Sequence, residues 1–165
     1  FDTDVGDFSI RYIGSFIDTF EQEPGGVFAD MAAKKANGDI PADIPLGGFG
    51  DLLLMDGNYD NKHTLRVSYR NGPFGANLTA LRKGEFYQNS LTQSDGTKFM
   101  IDSMTTMDLS FDYRFDLAGY DSRVRLAIKN VADERAPLAD RYYGYFADAH
   151  QDYGRNYYLD LNVKF

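Results

Sequence analysis

The sequence predicts an all-β fold, an antiparallel meander of six amphipathic strands, and three observations predict it. Six segments alternate apolar and polar residues with a period of two. Aromatic content is carried by 12 Tyr and 13 Phe with no Trp, and 16 Gly stand against 5 Pro, a balance that favours strands joined by turns. Finally, the connections between the six segments run long, short, long, short, long.

In chain order, the first strand is predicted over residues 4–20, where Phe8, Ile10, Tyr12, Gly14 and Phe16 share one face. The long connection 21–63 contains "VFADMAAKKANG", which sets Val27, Met31 and Lys34 on one side and ends at Gly38, so a short helix is predicted there. The second strand, 64–70, alternates Leu65, Val67 and Tyr69 with Arg66, Ser68 and Arg70. After the tight "NGP" comes the third, 74–81, with Phe74, Ala76, Leu78 and Ala80 on one face; Leu81 here and Ile13 in the first strand interrupt the polar face. Residues 82–103 form a second long connection.

The fourth strand, 104–115, is the most regular: Met107, Leu109, Phe111, Tyr113 and Phe115 alternate with Asp108, Ser110, Asp112 and Arg114. A short "DLAGYDS" leads to the fifth, 123–129, where Val124, Leu126 and Ile128 alternate with Arg123, Arg125, Ala127 and Lys129. Beyond the long connection 130–153, the sixth strand is predicted over 154–165, with Tyr157, Leu159, Leu161, Val163 and Phe165 on its apolar face.

Two structures use such strands: a soluble sheet with one face on a core, or a transmembrane barrel with lipid outside and a polar lumen. Short turns on one side and long loops on the other is the arrangement of an outer-membrane barrel, with periplasmic turns short and extracellular loops long. Under that reading Phe165, Tyr69, Phe74, Tyr113 and Phe115 share the periplasmic interface and Tyr157 lies at the opposite one. Arg66, Arg70, Arg114, Arg123 and Arg125 then face the lumen, because an Arg on the lipid side at the midplane costs about 2–4 kcal/mol. Closing a barrel takes about eight strands, so six strands are expected to be part of a larger assembly, and the absence of a leader-like start suggests strands upstream of Phe1.

Other classes are less well served. The formal net charge of -8 disfavours a nucleic-acid partner. There is no Cys and hence no thiolate metal site. Only His63 and His150 are available for acid–base work, and no catalytic motif is present, so no enzyme, cofactor or resident metal is expected.

At this point the residues carry a family resemblance. "YGRNYYLDLNVKF", Tyr153 to Phe165, resembles the closing strand of TonB-dependent outer-membrane receptors. "RLAIKNVADERAPL", Arg125 to Leu138, is similar to their penultimate strand with its Asn-hydrophobe-x-Asp exit, and "IDSMTTMDLSFDYRF", Ile101 to Phe115, to the strand before that. "NVADE" stands where many members have Leu-Phe before the Asp. The resemblance implies that these are the last six strands of a barrel of about twenty-two, in the outer membrane of a Gram-negative cell. Implied partners are an N-terminal plug, the TonB complex reached through the N-terminal region, the barrel-assembly machinery and outer-membrane lipid. The implied activity is energised import of a scarce substrate such as an iron chelate, cobalamin or an oligosaccharide, with Phe165 doubling as an insertion signal.

Candidate ligand contacts lie in the last long loop, where Tyr142, Tyr143 and Tyr145 precede Asp148, His150 and Asp152. Exposed aromatics and carboxylates suit sugar stacking or cation capture; packing of the loop by its own rings is the competing reading, and solvated charge competes with a metal site at Asp148, His150 and Asp152. The lumen arginines either hold acidic groups of a plug, steer an anionic substrate, or pair locally with Asp108, Asp112 and Asp160. A soluble carbohydrate-binding β-sandwich and a passive porin are the alternatives to the receptor.

Overall fold

The computed structural model describes residues 2–44, 46–47 and 49–164. Its elements are β1 (Asp2–Thr3), β2 (Gly6–Phe16), β3 (Glu21–Gln22), α1 (Val27–Ala36), β4 (Gly50–Asp51), β5 (Asn61–Asn71), β6 (Phe74–Lys83), β7 (Phe86–Thr92), β8 (Lys98–Ile101), β9 (Met104–Leu117), β10 (Tyr120–Lys129) and β11 (Asn156–Lys164). The protein is mostly β. The main sheet is antiparallel throughout, in the order β1-β2-β5-β6-β9-β10-β11, so the six long strands follow one another as a meander. It is an open sheet among the described residues.

The two tight turns follow from local chemistry. Between β9 and β10 only Ala118 and Gly119 intervene, with φ 55 and 90. Positive φ at both central residues is the turn whose twist matches antiparallel strands, and Asp116 Oδ1 accepts the Gly119 N–H at 2.8 Å. Gly72, with φ 52, turns β5 into β6.

Pairing aligns the period-two pattern across every strand. Phe8, Tyr69, Ala76, Phe111, Leu126 and Leu159 are successive register partners, and Ile10, Val67, Leu78, Leu109, Ile128 and Tyr157 make the next row. Because a one-residue slip would exchange the faces, all six strands being in phase creates a continuous apolar surface. Among the described residues nothing covers it: Ile10 is 60%, Phe111 48%, Leu126 44% and Leu159 76% exposed.

The buried core lies elsewhere. Phe86, Ile101, Ala139, Phe146 and Ala149 cluster with Tyr59 and Phe99, all from the long connections at one end of the sheet. Three loops are knitted together there. Tyr87 donates to Leu54 O at 2.7 Å and accepts from Asp56 N–H at 2.9 Å. Gln88, 1% exposed, donates to Asp140 O at 2.8 Å and accepts from Asp140 N–H at 2.9 Å. This cap folds over the polar face: His150 and Gln151 line a small cavity with Leu81, Lys83, Met104 and Thr106. Ile13 and Leu81, the two residues that interrupt the polar face, both pair with Thr64, in the row that meets the cap.

The structure also differs from the expected elements. The first strand is Gly6–Phe16 rather than 4–20, and its exit is fixed by Ile17 N–H donating to Asp60 O at 2.7 Å. The second begins at Asn61 rather than 64, because Asn61, Lys62 and His63 pair with β2 despite carrying little period-two signal. The last begins at Asn156 rather than 154. The connection 82–103 contains the hairpin β7–β8, which the sequence reading did not predict. The expected helix forms as α1. Phe165 lies outside the described residues.

Candidate functional site: the polar face and its loop cap

On the polar face of the sheet, Asp112 is the hub. Its side chain is 1% exposed and accepts from Arg70 Nη1 at 2.9 Å and from Arg123 Nη2 at 3.3 Å. Arg70 reaches it across β6, over Gly75, which is the register partner of both residues. A Cβ there would stand 2.6 Å from the Arg70 guanidinium and 2.7 Å from Asp112 Oδ1, so the absence of a side chain at position 75 is what lets the pair form. Two rows along the same face, Lys129 Nζ meets Asp108 Oδ2 at 2.5 Å, while Asp108 Oδ1 accepts the Asn130 N–H at 3.0 Å.

Beside these pairs is a polar groove of about 340 Å³, lined by Arg66, Ser68, Asn77, Arg123, Arg125 and Lys129 among others. Arg125 Nη2 donates to Ser110 Oγ at 3.3 Å. Among the described residues neither Arg66 nor Arg125 has a carboxylate partner. Arg114 is exposed and, with Arg123, Asn162 and Lys164, lines a second hollow nearer the tight turns. The five arginines expected to share a face therefore do so, and Asp112 and Asp108 supply the local ion pairs. Asp160 is opposite Arg125 in register but closes no ion pair with it.

The Asn-hydrophobe-x-Asp exit has a physical role. Asn130, at φ 51, donates from Nδ2 to Glu134 O at 2.8 Å and accepts the Glu134 N–H at 2.9 Å. Asp133 Oδ1 accepts the Arg155 N–H at 2.7 Å, and a Cβ on Gly154 would lie 3.0 Å from that oxygen. The end of β10 and the entry to β11 are thereby locked to each other by two short sequence motifs.

In the last long loop, Tyr142 is 94% and Tyr143 69% exposed, set edge to face at 4.9 Å, with Tyr145 next at 6.2 Å from Tyr143. Asp148 is exposed. Tyr142, Tyr143 and Asp148 are open to solvent, and Tyr145 is half-buried beside them. His150 is different: it is 1% exposed, stacked on Phe86 at 5.6 Å, and neither ring nitrogen has a hydrogen-bond partner. Burial and the nearby Lys83 ammonium push its pKa below the usual histidine value. Lys83 Nζ itself donates to Ala149 O. Asp152 is engaged by Arg135 and accepts the Ala136 N–H at 2.8 Å; these bonds, the Arg135 one foremost, hold its carboxyl at about 2. Asp148, His150 and Asp152 are thus not gathered together, and no metal-binding cluster of His and carboxylates occurs among the described residues.

Toward the cap end of the apolar face, Tyr12 Oη and His63 Nδ1 share a hydrogen bond of 2.7 Å, and Phe16 meets His63 edge to face at 5.2 Å. Tyr157, 65% exposed, is on the same face. Nearer the tight turns, Phe74 and Tyr113 are 4.8 Å apart, with Phe115 6.1 Å from Tyr113. Pairing of the arginines with Asp112 was expected, but its holding two of them at once across Gly75 was not, nor was the burial of His150 and Gln88.

No protein-family model, no curated protein and no solved structure matches this chain.

Proposed function

We propose that this chain is the closing part of the β-barrel of a TonB-dependent outer-membrane receptor, contributing its last six strands, its lumen wall and the loops at its mouth. The observation that carries the reading is the pair of uninterrupted apolar rows across six strands with no protein over them, while the buried core sits in the loops. Soluble monomers rarely expose contiguous apolar patches of more than a few hundred Å², and a sandwich would seal this face beneath a second sheet. From Met107 to Leu117, ten steps of about 3.4 Å tilted by about 40° rise about 26 Å, comparable to the apolar band of an outer-membrane barrel, about 25 Å tall.

Two further features support it. Aromatic groups gather at both ends of the apolar face, as interfacial girdles do. The long loops fold together over the polar face, where a barrel mouth would be narrowed. In this reading the open edges of the sheet pair with further strands, since unpaired backbone groups in hydrocarbon cost several kcal/mol each. A plug and a TonB-binding segment belong to the rest of the receptor. Tyr142, Tyr143, Tyr145 and Asp148 present the ligand-binding surface at the mouth, and the lumen arginines act below it.

The test is fractionation of the full-length protein. It should pellet with outer membranes, resist salt and carbonate extraction, and migrate faster on unheated than on heated gels. Recovery in the soluble fraction without detergent would overturn the reading. Uptake that persists without TonB would leave a passive pore instead.

A further inference from the structure

The polar face carries more cationic charge than its own carboxylates absorb. Cross-strand partners there include Arg11 opposite Arg66, Lys62 opposite Lys83 and Arg114 opposite Arg123. Like charges directly opposite destabilise a sheet, so each such pair is a standing cost unless an anion or water separates it. Asp112 absorbs Arg70 and Arg123, and Asp108 absorbs Lys129. Arg66 and Arg125 are left facing the same groove of about 340 Å³, and Arg123 keeps a buried Nε with no acceptor. The whole chain is anionic, with a formal net charge of -8, so this excess is local rather than a general basic character.

We propose that the groove between β5 and β10 binds a small polycarboxylate solute, bridged by Arg66 on one side and Arg125 on the other. Its volume is that of a small-molecule site, about 300–1,000 Å³. The strand order places β6 and β9 between the two arginines, and the register sets Arg125 four residues along from the row of Arg66, so three strand spacings across and four residues along separate their backbones by about 20 Å. One compact anion does not span that gap even with both side chains leaning inward. Two or more separated carboxylates do, each taken by a guanidinium fork, while Ser68 and Asn77 offer neutral partners along the groove floor. The ligand also relieves the repulsion between Arg11 and Arg66. The site deepens the receptor reading, because it rests on this face being a water-filled lumen.

The experiment is titration of the full-length protein in detergent with tricarballylate at low salt, followed by calorimetry. Binding by the wild type, weakened about tenfold or more in Arg66→Gln and in Arg125→Gln but unchanged in Lys34→Gln on α1, is the expected result. Inorganic phosphate, too compact to bridge, should bind far more weakly. The proposal is overturned if the wild type binds no tricarballylate at millimolar concentration, as when an acidic segment of the same protein already fills the groove, if the two variants bind as the wild type does, or if phosphate binds as tightly. A protein that fractionates with outer membranes and fails this titration loses the site alone, whereas one recovered as a soluble protein loses the lumen itself.

Discussion

Arg70 and Asp112 are on strands that are not neighbours, and they pair at 2.9 Å because Gly75 on the strand between them has no side chain. Gly75→Val is expected to drive the guanidinium off and leave the buried Asp112 carboxylate with Arg123 alone. Leaving a buried charge short of a partner costs several kcal/mol when it is fully enclosed, but Arg70 is 32% and Arg123 40% exposed, so about 1–3 kcal/mol is the expected loss. Thermal unfolding of Gly75→Val and Asp112→Asn against wild type reads it; a Gly75→Val variant as stable as wild type would show that the pair contributes nothing.

The lock between the end of β10 and the entry to β11 gives a second expectation. Asn130→Ala removes both hydrogen bonds to Glu134 and puts Ala at φ 51, a conformation Asn tolerates better. A loss of about 2 kcal/mol is expected, with hydrogen exchange rising first at Glu134 and Arg155. Exchange unchanged at these amides would contradict it.

His150 makes the loop cap pH-sensitive. Its pKa is lowered on folding from 6.5 by burial and then by Lys83, so the unfolded loop takes up a proton more readily than the folded one. Stability is then fully present above about 6.5 and is lost as pH falls below it. Protection of the amides around Phe146 to Gln151, taken relative to the intrinsic exchange rate at each pH, should fall between pH 7.5 and 5.5, and His150→Leu should abolish that dependence. A cap equally protected at both values would refute the assignment.

Tyr142 and Tyr143 pack against little but each other and Tyr145. Replacing both with Ala should leave the melting temperature within about 1–2 °C, as surface changes do, and weaken ligand binding at the mouth by about tenfold, the worth of one or two ring contacts. A large loss of stability instead would assign these rings to packing of the loop.

How much was legible in the sequence depended on how local the signal was. The six strands are readable because Phe, Leu and Tyr recur at every second position, and a wrong phase would exchange faces along a whole strand. Residues 61–63 were missed because Asn61, Lys62 and His63 join the strand through partners Phe16, Ser15 and Gly14, not through their own alternation. The hairpin β7–β8 was missed for a related reason: its inward positions are Phe86 and Gln88, both buried, and a buried glutamine reads as polar until its partner Asp140, distant in sequence, is known. His150 reads in sequence as a solvated loop residue between Asp148 and Asp152; its burial is decided by Phe86 and the rest of the cap. The groove was half legible, since the arginines alternate plainly along their strands but Gly75, the residue that frees Asp112 to hold two of them, gave no sign alone.

The central claim is that the apolar rows meet lipid and the rows between them meet water. The chain has no Cys, so single cysteines placed at Phe111, Leu126 and Leu159, and at Arg125, Asp160 and Ser68, report each face in turn once any cysteines elsewhere in the receptor are removed. In outer-membrane vesicles, spin labels at the first three sites should be relaxed by oxygen and shielded from a water-soluble nickel chelate, and labels at the second three should show the reverse. Labels at Phe111, Leu126 and Leu159 that are open to the nickel chelate, or sealed from both reagents, would contradict the account.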